Sequence, residues 1–203
     1  MESLSVLGGI IGSDGHLSKD NSTVCVINKD LEFIDSVVIP LIQHYVGKEP
    51  KIRFINSGFG SKKYLLRVCN SKFLRSVSQV YNIPIGRKSS SIEPPRNLTN
   101  KENIDFLRGW IAGDGSVTTE KGRPKIEIWS KSKEIIYHFE KILRTEGICP
   151  YVYFEKNKKE YILRISRKED VIKFYKTIKI PHPKKQRTLE NLTSSWFSRI
   201  RTV

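Results

Sequence analysis

Cysteine is scarce in this chain of 203 residues: Cys25, Cys69 and Cys149 form no CxxC pair, and one is left over however they are combined. That excludes a disulfide framework and offers no zinc-ligand spacing, so each is expected as a small buried or half-buried side chain. Long hydrophobic runs are missing too. No apolar stretch approaches the roughly 20 residues needed to cross a bilayer, and the run from Leu4 to Ile11 is interrupted by Gly8 and Gly9. The N-terminus, Met1-Glu2-Ser3, lacks the basic segment that opens a secretion signal. The expectation is an intracellular, cytoplasmic protein without a membrane partner, nucleoid-associated if prokaryotic.

Acidic residues are also in short supply. There are 21 Asp plus Glu against 36 Lys plus Arg, a formal charge of +15. A structured chain with this imbalance is most simply matched by a polyanion, and phosphate is the commonest one. Anionic lipid is disfavoured, because no helix pairs a basic face with an aromatic and apolar one. Nucleic acid remains, with passive RNA binding among the possibilities.

What the sequence does contain, it contains twice. "LGGIIGSDG" at 7–15 returns as "LRGWIAGDG" at 107–115, an offset of 100. Val26-Ile27-Asn28-Lys29 aligns with Ile128-Trp129-Ser130-Lys131, an offset of 102. Tyr64-Leu65-Leu66-Arg67-Val68 aligns with Tyr161-Ile162-Leu163-Arg164-Ile165, and Ile83-Pro84 with Ile180-Pro181, both at 97. Four matches in one order, with small drifts that loop lengths explain, define a duplicated unit. Each copy reads as a motif helix, two strands, a helix, two strands and a helix. Strands are expected near 16–20, 22–28, 50–56 and 62–69, then near 116–119, 124–130, 150–156 and 160–166. Helices are expected from Leu31, with a kink at Pro40, across 71–81, from Lys133 to a cap at Gly147, and across 168–178. Residues 1–83 and 100–183 are the two copies. Residues 84–99, rich in Pro, Ser and basic side chains, read as a linker, and Thr99-Asn100-Lys101-Glu102 as a capping box. The basic tail 184–203, with Trp196 and Phe197, suits a docking helix or a nucleic-acid contact equally.

Glycine costs a helix about 1 kcal/mol relative to alanine, so Gly8, Gly9 and Gly12 need a reason. On a helix Gly9 and Ser13 share a face, as do Gly109 and Gly113, and small residues at that spacing let two backbones approach closely. Packing the two motif helices on each other brings their ends to one level and sets Asp14 beside Asp114. Two carboxylates at two negative helix ends repel unless a proton or cation joins them. A hard divalent cation suits this donor set, Mg2+ first and Mn2+ as a substitute, with the carbonyls of Ser13 and Gly113 as further ligands.

These two stretches resemble the LAGLIDADG motif, with Leu7, Gly9, Asp14 and Gly15, then Leu107, Gly109, Asp114 and Gly115, at its defining positions. The chain is similar to monomeric two-repeat LAGLIDADG homing endonucleases of the kind encoded in archaeal introns. The resemblance implies an α+β fold of two pseudo-symmetric αββαββα repeats, with the motif helices at the interface and antiparallel sheets forming a saddle over double-stranded DNA. It also implies a metal-dependent endonuclease that cuts a long site and promotes intron mobility. The first acidic position of the motif is Gly12 or Ala112 here, and the metal-binding one is intact in both copies. In the family, residues at a strand end near the metals order the water or stabilise charge. Asn28 and Lys29, with Ser130 and Lys131, hold the matching positions.

Strand alternation nominates Lys51, Arg53, Lys63 and Arg67 in the first copy as DNA contacts. Arg123, Lys125, Glu127, Tyr151, Tyr153 and Arg164 are nominated in the second. A register error of one residue would invert this assignment. His16 reads as a turn residue near the motif. Two other activities share the fold: an RNA maturase that assists splicing of intron RNA, and a DNA-binding regulator without cleavage. The intact Asp pair disfavours the regulator.

Overall fold

A computed structural model of the chain describes residues 2–56, 62–86, 88, 90–120 and 123–198, without the side chains of Asn56 and residues 195–198. The duplication is carried through element by element. In the first copy α1 (Leu4–Asp14) leads into β1 (Gly15–Leu17) and β2 (Thr23–Asn28). Two helices follow, α2 (Leu31–Phe33) and α3 (Ile39–Val46), then β3 (Lys51–Asn56), β4 (Lys62–Cys69) and α4 (Ser71–Tyr81). In the second copy α5 (Asn100–Asp114) precedes β5 (Ser116–Glu120), β6 (Arg123–Ser130) and α6 (Lys133–Thr145). It closes with β7 (Tyr151–Glu155), β8 (Glu160–Ile165) and α7 (Lys168–Thr177), after which α8 (Pro183–Ser198) runs through the basic tail. Both sheets are antiparallel with the same strand order, β1-β2-β4-β3 and β5-β6-β8-β7.

Local chemistry sets the helix ends. Ser3, Asp30, Asn70 and Ser132 each accept a backbone N–H as N-caps, and Thr99 with Glu102 forms the reciprocal capping box that the sequence predicts. Gly47 and Gly147 follow their helices at positive φ, the conformation that costs glycine least. The kink expected at Pro40 is spread upstream as a π-helical stretch, Ile34–Val38, between α2 and α3. Proline cannot donate to its own turn, and the wider turn absorbs that loss.

The core lies between the sheets and the helices. Ile10, Leu17, Val26, Phe33 and Leu66 fill it in the first copy, and Phe106, Ile111, Ile128, Phe139 and Leu163 in the second. At its centre α1 and α5 cross with almost no side chain between them. A methyl on Gly9 would collide with the Phe106 carbonyl oxygen, and one on Gly109 with that of Val6. The two collisions are the same contact seen from either copy, since residues 6 and 106 are themselves one repeat apart. This close packing offsets the helix propensity that the glycines forfeit.

Residues 84–99 do more than join the copies. Ile85 bridges to Leu17, the Gly86 N–H donates to the Leu17 carbonyl, and Ile92 is buried. The tail docks as well: Leu189 and Thr193 of α8 are buried, and Arg187 forms a forked pair with Glu32. Trp196 and Phe197 lie outside the described side chains. Two of the cysteines depart from expectation, because Cys69 and Cys149 are exposed and only Cys25 is half-buried. Cys69 ends β4 on the sheet face away from the helices, and Cys149 lies in the short connection before β7. No helix among the described residues is long and apolar enough to cross a membrane.

Candidate functional site

Asp14 and Asp114 are the last residues of α1 and α5, and the crossing of those helices brings their side chains within hydrogen-bonding reach. Gly113 is what permits it, because a Cβ there would clash with Ser13 Oγ and stand 3.2 Å from the Asp14 carboxyl carbon. Asn28, the last residue of β2, donates to Asp14 Oδ2 at 2.5 Å. Burial, followed by the neighbouring Asp114 carboxylate, pushes the Asp14 pKa up to about 7, against the Asn28 hydrogen bond and the charge of Lys185.

Two lysines that the sequence reading passed over close the helix ends. Lys88 Nζ donates to the carbonyl oxygens of Ile11, Gly12 and Ser13 at 2.8, 2.6 and 2.6 Å. Lys185 Nζ does the same for Ile111, Ala112 and Gly113 at 3.0, 2.7 and 2.6 Å. Each ammonium thus sits at the negative end of a helix dipole, beside a carboxylate pair. Burial pulls both lysine pKa values down to about 8, although the two aspartates pull the other way. The signal was present in the sequence: the offset of 97 that matches Ile83-Pro84 to Ile180-Pro181 also carries Lys88 onto Lys185.

Two clefts flank the paired ends. One, of about 560 Å³, contains Asp14, Asn28, Lys29, Asp114, His182 and Lys185. The other, of about 410 Å³, contains Lys88, Trp110, Asp114, Ser130, Lys131 and Lys158. The matched strand-end residues therefore separate, Asn28 and Lys29 to one cleft and Ser130 and Lys131 to the other. His182 stacks on Phe33 at 4.5 Å, with Nε2 3.8 Å from Asp30. Burial, reinforced by Lys185, draws its pKa down to about 4. Among the described residues, the buried polar atoms without a hydrogen-bond partner are Trp110 Nε1, Ser116 Oγ and His182 Nδ1, and all three residues line the clefts.

No group of three or more His, Cys, Asp or Glu gathers among the described residues. The donor set is two carboxylates, which suits a hard cation that fills its remaining positions with water and phosphate oxygens. The Ser13 and Gly113 carbonyls, expected as further ligands, already accept Lys88 and Lys185. Their occupation follows from tertiary packing that the motif alone does not reveal.

Strand register settles the faces of the sheets. Lys51 faces Arg67, Arg53 faces Leu65 and Lys63 faces Ile55, so Lys51, Arg53, Lys63 and Arg67 share the face turned from the helices, with His16 opposite Cys25. In the second sheet Arg123, Lys125, Glu127, Tyr151, Tyr153 and Arg164 share the corresponding face. Glu127 is a correction: only 5 % exposed, it sits beneath that surface, held by Arg164 Nε at 2.7 Å and Lys125 at 3.4 Å. Alternation assigns a residue to a face without revealing what covers it. His16, expected in a turn, is an exposed strand residue.

Residues 101–179 match the family described as LAGLIDADG-like domain. The second copy is thus similar to a LAGLIDADG-like domain over most of its length. Among solved structures, the LAGLIDADG fold described here superposes on the homing endonuclease I-DmoI in complex with DNA and Ca with a TM-score of 0.63 and 22% identity, covering 86% of this chain and 87% of that one. It also superposes on full-length DUF199/WhiA from Thermotoga maritima, with a TM-score of 0.66 and 17% identity, over 96% of this chain and 60% of that one. The uncharacterized protein MJ0314 of Methanocaldococcus jannaschii is 28% identical over 117 residues, 54% of this chain. The match spans 44% of that curated relative's length.

Proposed function

We propose that this protein is a site-specific DNA endonuclease that makes a metal-dependent double-strand break at a long recognition site. The observation that carries the reading is the Asp14 and Asp114 pair at twin helix ends, with a lysine behind each end and a cleft on either side. The likeness to I-DmoI, solved with its target DNA in the presence of Mn or with DNA and Ca, supports duplex DNA as the partner and a divalent ion as the cofactor.

Asp14 and Asp114 would hold the cation, for which Mg2+ is the first choice and Mn2+ a substitute. When bound, it supplies Lewis acidity at the scissile phosphate and lowers the pKa of a coordinated water. The remaining work falls to the chain. Asn28 fixes the orientation of the Asp14 carboxylate through its hydrogen bond. Lys88 and Lys185 keep the buried helix ends from repelling the incoming phosphates, and each stands where negative charge grows during attack. Lys29 in one cleft and Lys131 in the other are placed to order water or meet the departing oxygen. One cleft per strand accounts for a double-strand cut by a monomer with internal pseudo-twofold symmetry. Intron mobility and an intracellular, nucleoid-associated setting complete the proposal.

The test is selection of cleaved molecules from a randomised duplex library in Mg2+, with wild-type protein beside Asp14→Asn and Asp114→Asn variants. A shared motif among wild-type products, absent from both variants, is expected. Library DNA left intact by folded wild-type protein in Mg2+ and in Mn2+ would overturn the reading. Tight binding to structured RNA under the same conditions would favour the maturase instead.

A further inference from the structure

The two sheets are alike in topology and opposite in charge. On the open face of the first sheet the described strands present Lys51, Arg53, Lys63 and Arg67 and no carboxylate. On the same face of the second, Arg123, Lys125 and Arg164 meet Glu120, Glu127, Glu155 and Glu160. The difference arises at matched positions. Cys25 opposite Arg67 becomes Glu127 opposite Arg164, while Lys51 and Arg53 become Tyr151 and Tyr153.

The second face is also internally bonded. Arg164 donates from Nε to Glu127 Oε1 at 2.7 Å and from Nη2 to the Tyr153 hydroxyl at 2.9 Å, and Nη2 also lies 2.7 Å from Glu127 Oε1 as an ion pair. Its guanidinium lies 5.3 Å from the Tyr153 ring, which stacks on Tyr151, itself 66% exposed. Glu120 stands 3.4 Å from Lys125 and 3.6 Å from Arg164. An arginine held this way has little rotamer freedom left to lose on binding, and its charge is already matched.

We propose that the sheets divide the work on DNA: the first supplies the phosphate-driven, salt-sensitive grip, and the second presents a fixed Arg164 and a tyrosine wall that discriminate sequence with little electrostatic affinity. This rests on the duplex-DNA reading above. A cation that neutralises a phosphate adds about −0.9 to the slope of log affinity against log salt, so free and pre-paired cations are distinguishable.

The experiment measures binding of a random-sequence 30-base-pair duplex by anisotropy from low to moderate KCl, without divalent metal. Two variants are compared with wild type: Lys51→Gln/Arg53→Gln/Lys63→Gln/Arg67→Gln, and Glu120→Gln/Lys125→Gln/Glu127→Gln/Arg164→Gln, which removes two cations and the two carboxylates paired with them. Circular dichroism checks the folding of each, and the balanced pair Glu120→Gln/Lys125→Gln replaces the second-sheet variant if that one unfolds. The first-sheet variant is expected to flatten the salt slope by about 2 to 4 and weaken binding on the order of 100-fold or more at 0.1 M salt. The second-sheet variant is expected to change the slope by less than about 1. Equal flattening in both, or flattening only in the second, overturns the division. Absence of duplex binding by the wild type overturns the DNA reading itself, a separate outcome.

Discussion

Lys185 holds the Gly113 carbonyl oxygen at 2.6 Å, and one repeat away Lys88 holds that of Ser13 at the same distance. Because each lysine faces its own cleft, replacing one disables one half of the site. Lys185→Met is expected to slow cleavage of one strand at least tenfold and Lys88→Met the other, so that each accumulates a nick in the opposite strand. A duplex with both strands end-labelled, resolved on a denaturing gel, reads this directly; equal slowing of both strands by either variant would count against it.

Gly109 is pressed against the Val6 carbonyl, and Gly47 has nothing within 4 Å of an added Cβ. Gly109→Ala is therefore expected to cost about 3 kcal/mol or to force α1 and α5 apart. Gly47→Asn, at φ 68, keeps a residue that tolerates the left-handed region and is expected to cost less than about 1 kcal/mol. Urea denaturation of the two variants gives the comparison.

His182 is buried with its pKa drawn down to about 4, below the usual 6.5. The unfolded chain then binds more protons between those values, so stability rises with pH across that window and falls as pH drops through it. His182→Phe, stacked as before on Phe33, is expected to flatten the stability profile between pH 4 and 6.5 and leave it unchanged at pH 8. Thermal midpoints across this range test the slope.

The Asp14 case has the opposite sign. Its pKa, raised to about 7, means that its contribution is present at low pH and lost as pH rises through 7. Asp14→Asn is expected to make the metal-free protein more stable at pH 8, by about 1 to 3 kcal/mol, and to have little effect at pH 4. Loss of stability at pH 8 would show that the carboxylate pair is not the buried liability described here.

Much of this architecture is legible from periodicity. The Asp14 and Asp114 pair, the paired strands and the capping box at Thr99 depend on residues close together in sequence or repeated in register. Lys88 is not legible as a site residue because its neighbours read as a linker, while the carbonyls it holds belong to residues 11 to 13. Alternation gives the face of Glu127 and not its depth, since its burial goes with the ion pairs to Arg164 on β8 and Lys125 on its own strand. His182 follows the last repeat element and gains meaning only where α8 turns back onto Phe33. In each case the missing information was a contact between distant parts of the chain.

The central claim is that Asp14 and Asp114 jointly hold a divalent cation on bound DNA. Mn2+ titration followed by electron paramagnetic resonance, on the protein with a selected duplex, measures it most directly. Wild-type protein is expected to bind Mn2+ at least tenfold more tightly than Asp14→Asn or Asp114→Asn, with either substitution removing most of the affinity. Equal Mn2+ affinity in all three proteins would contradict the claim.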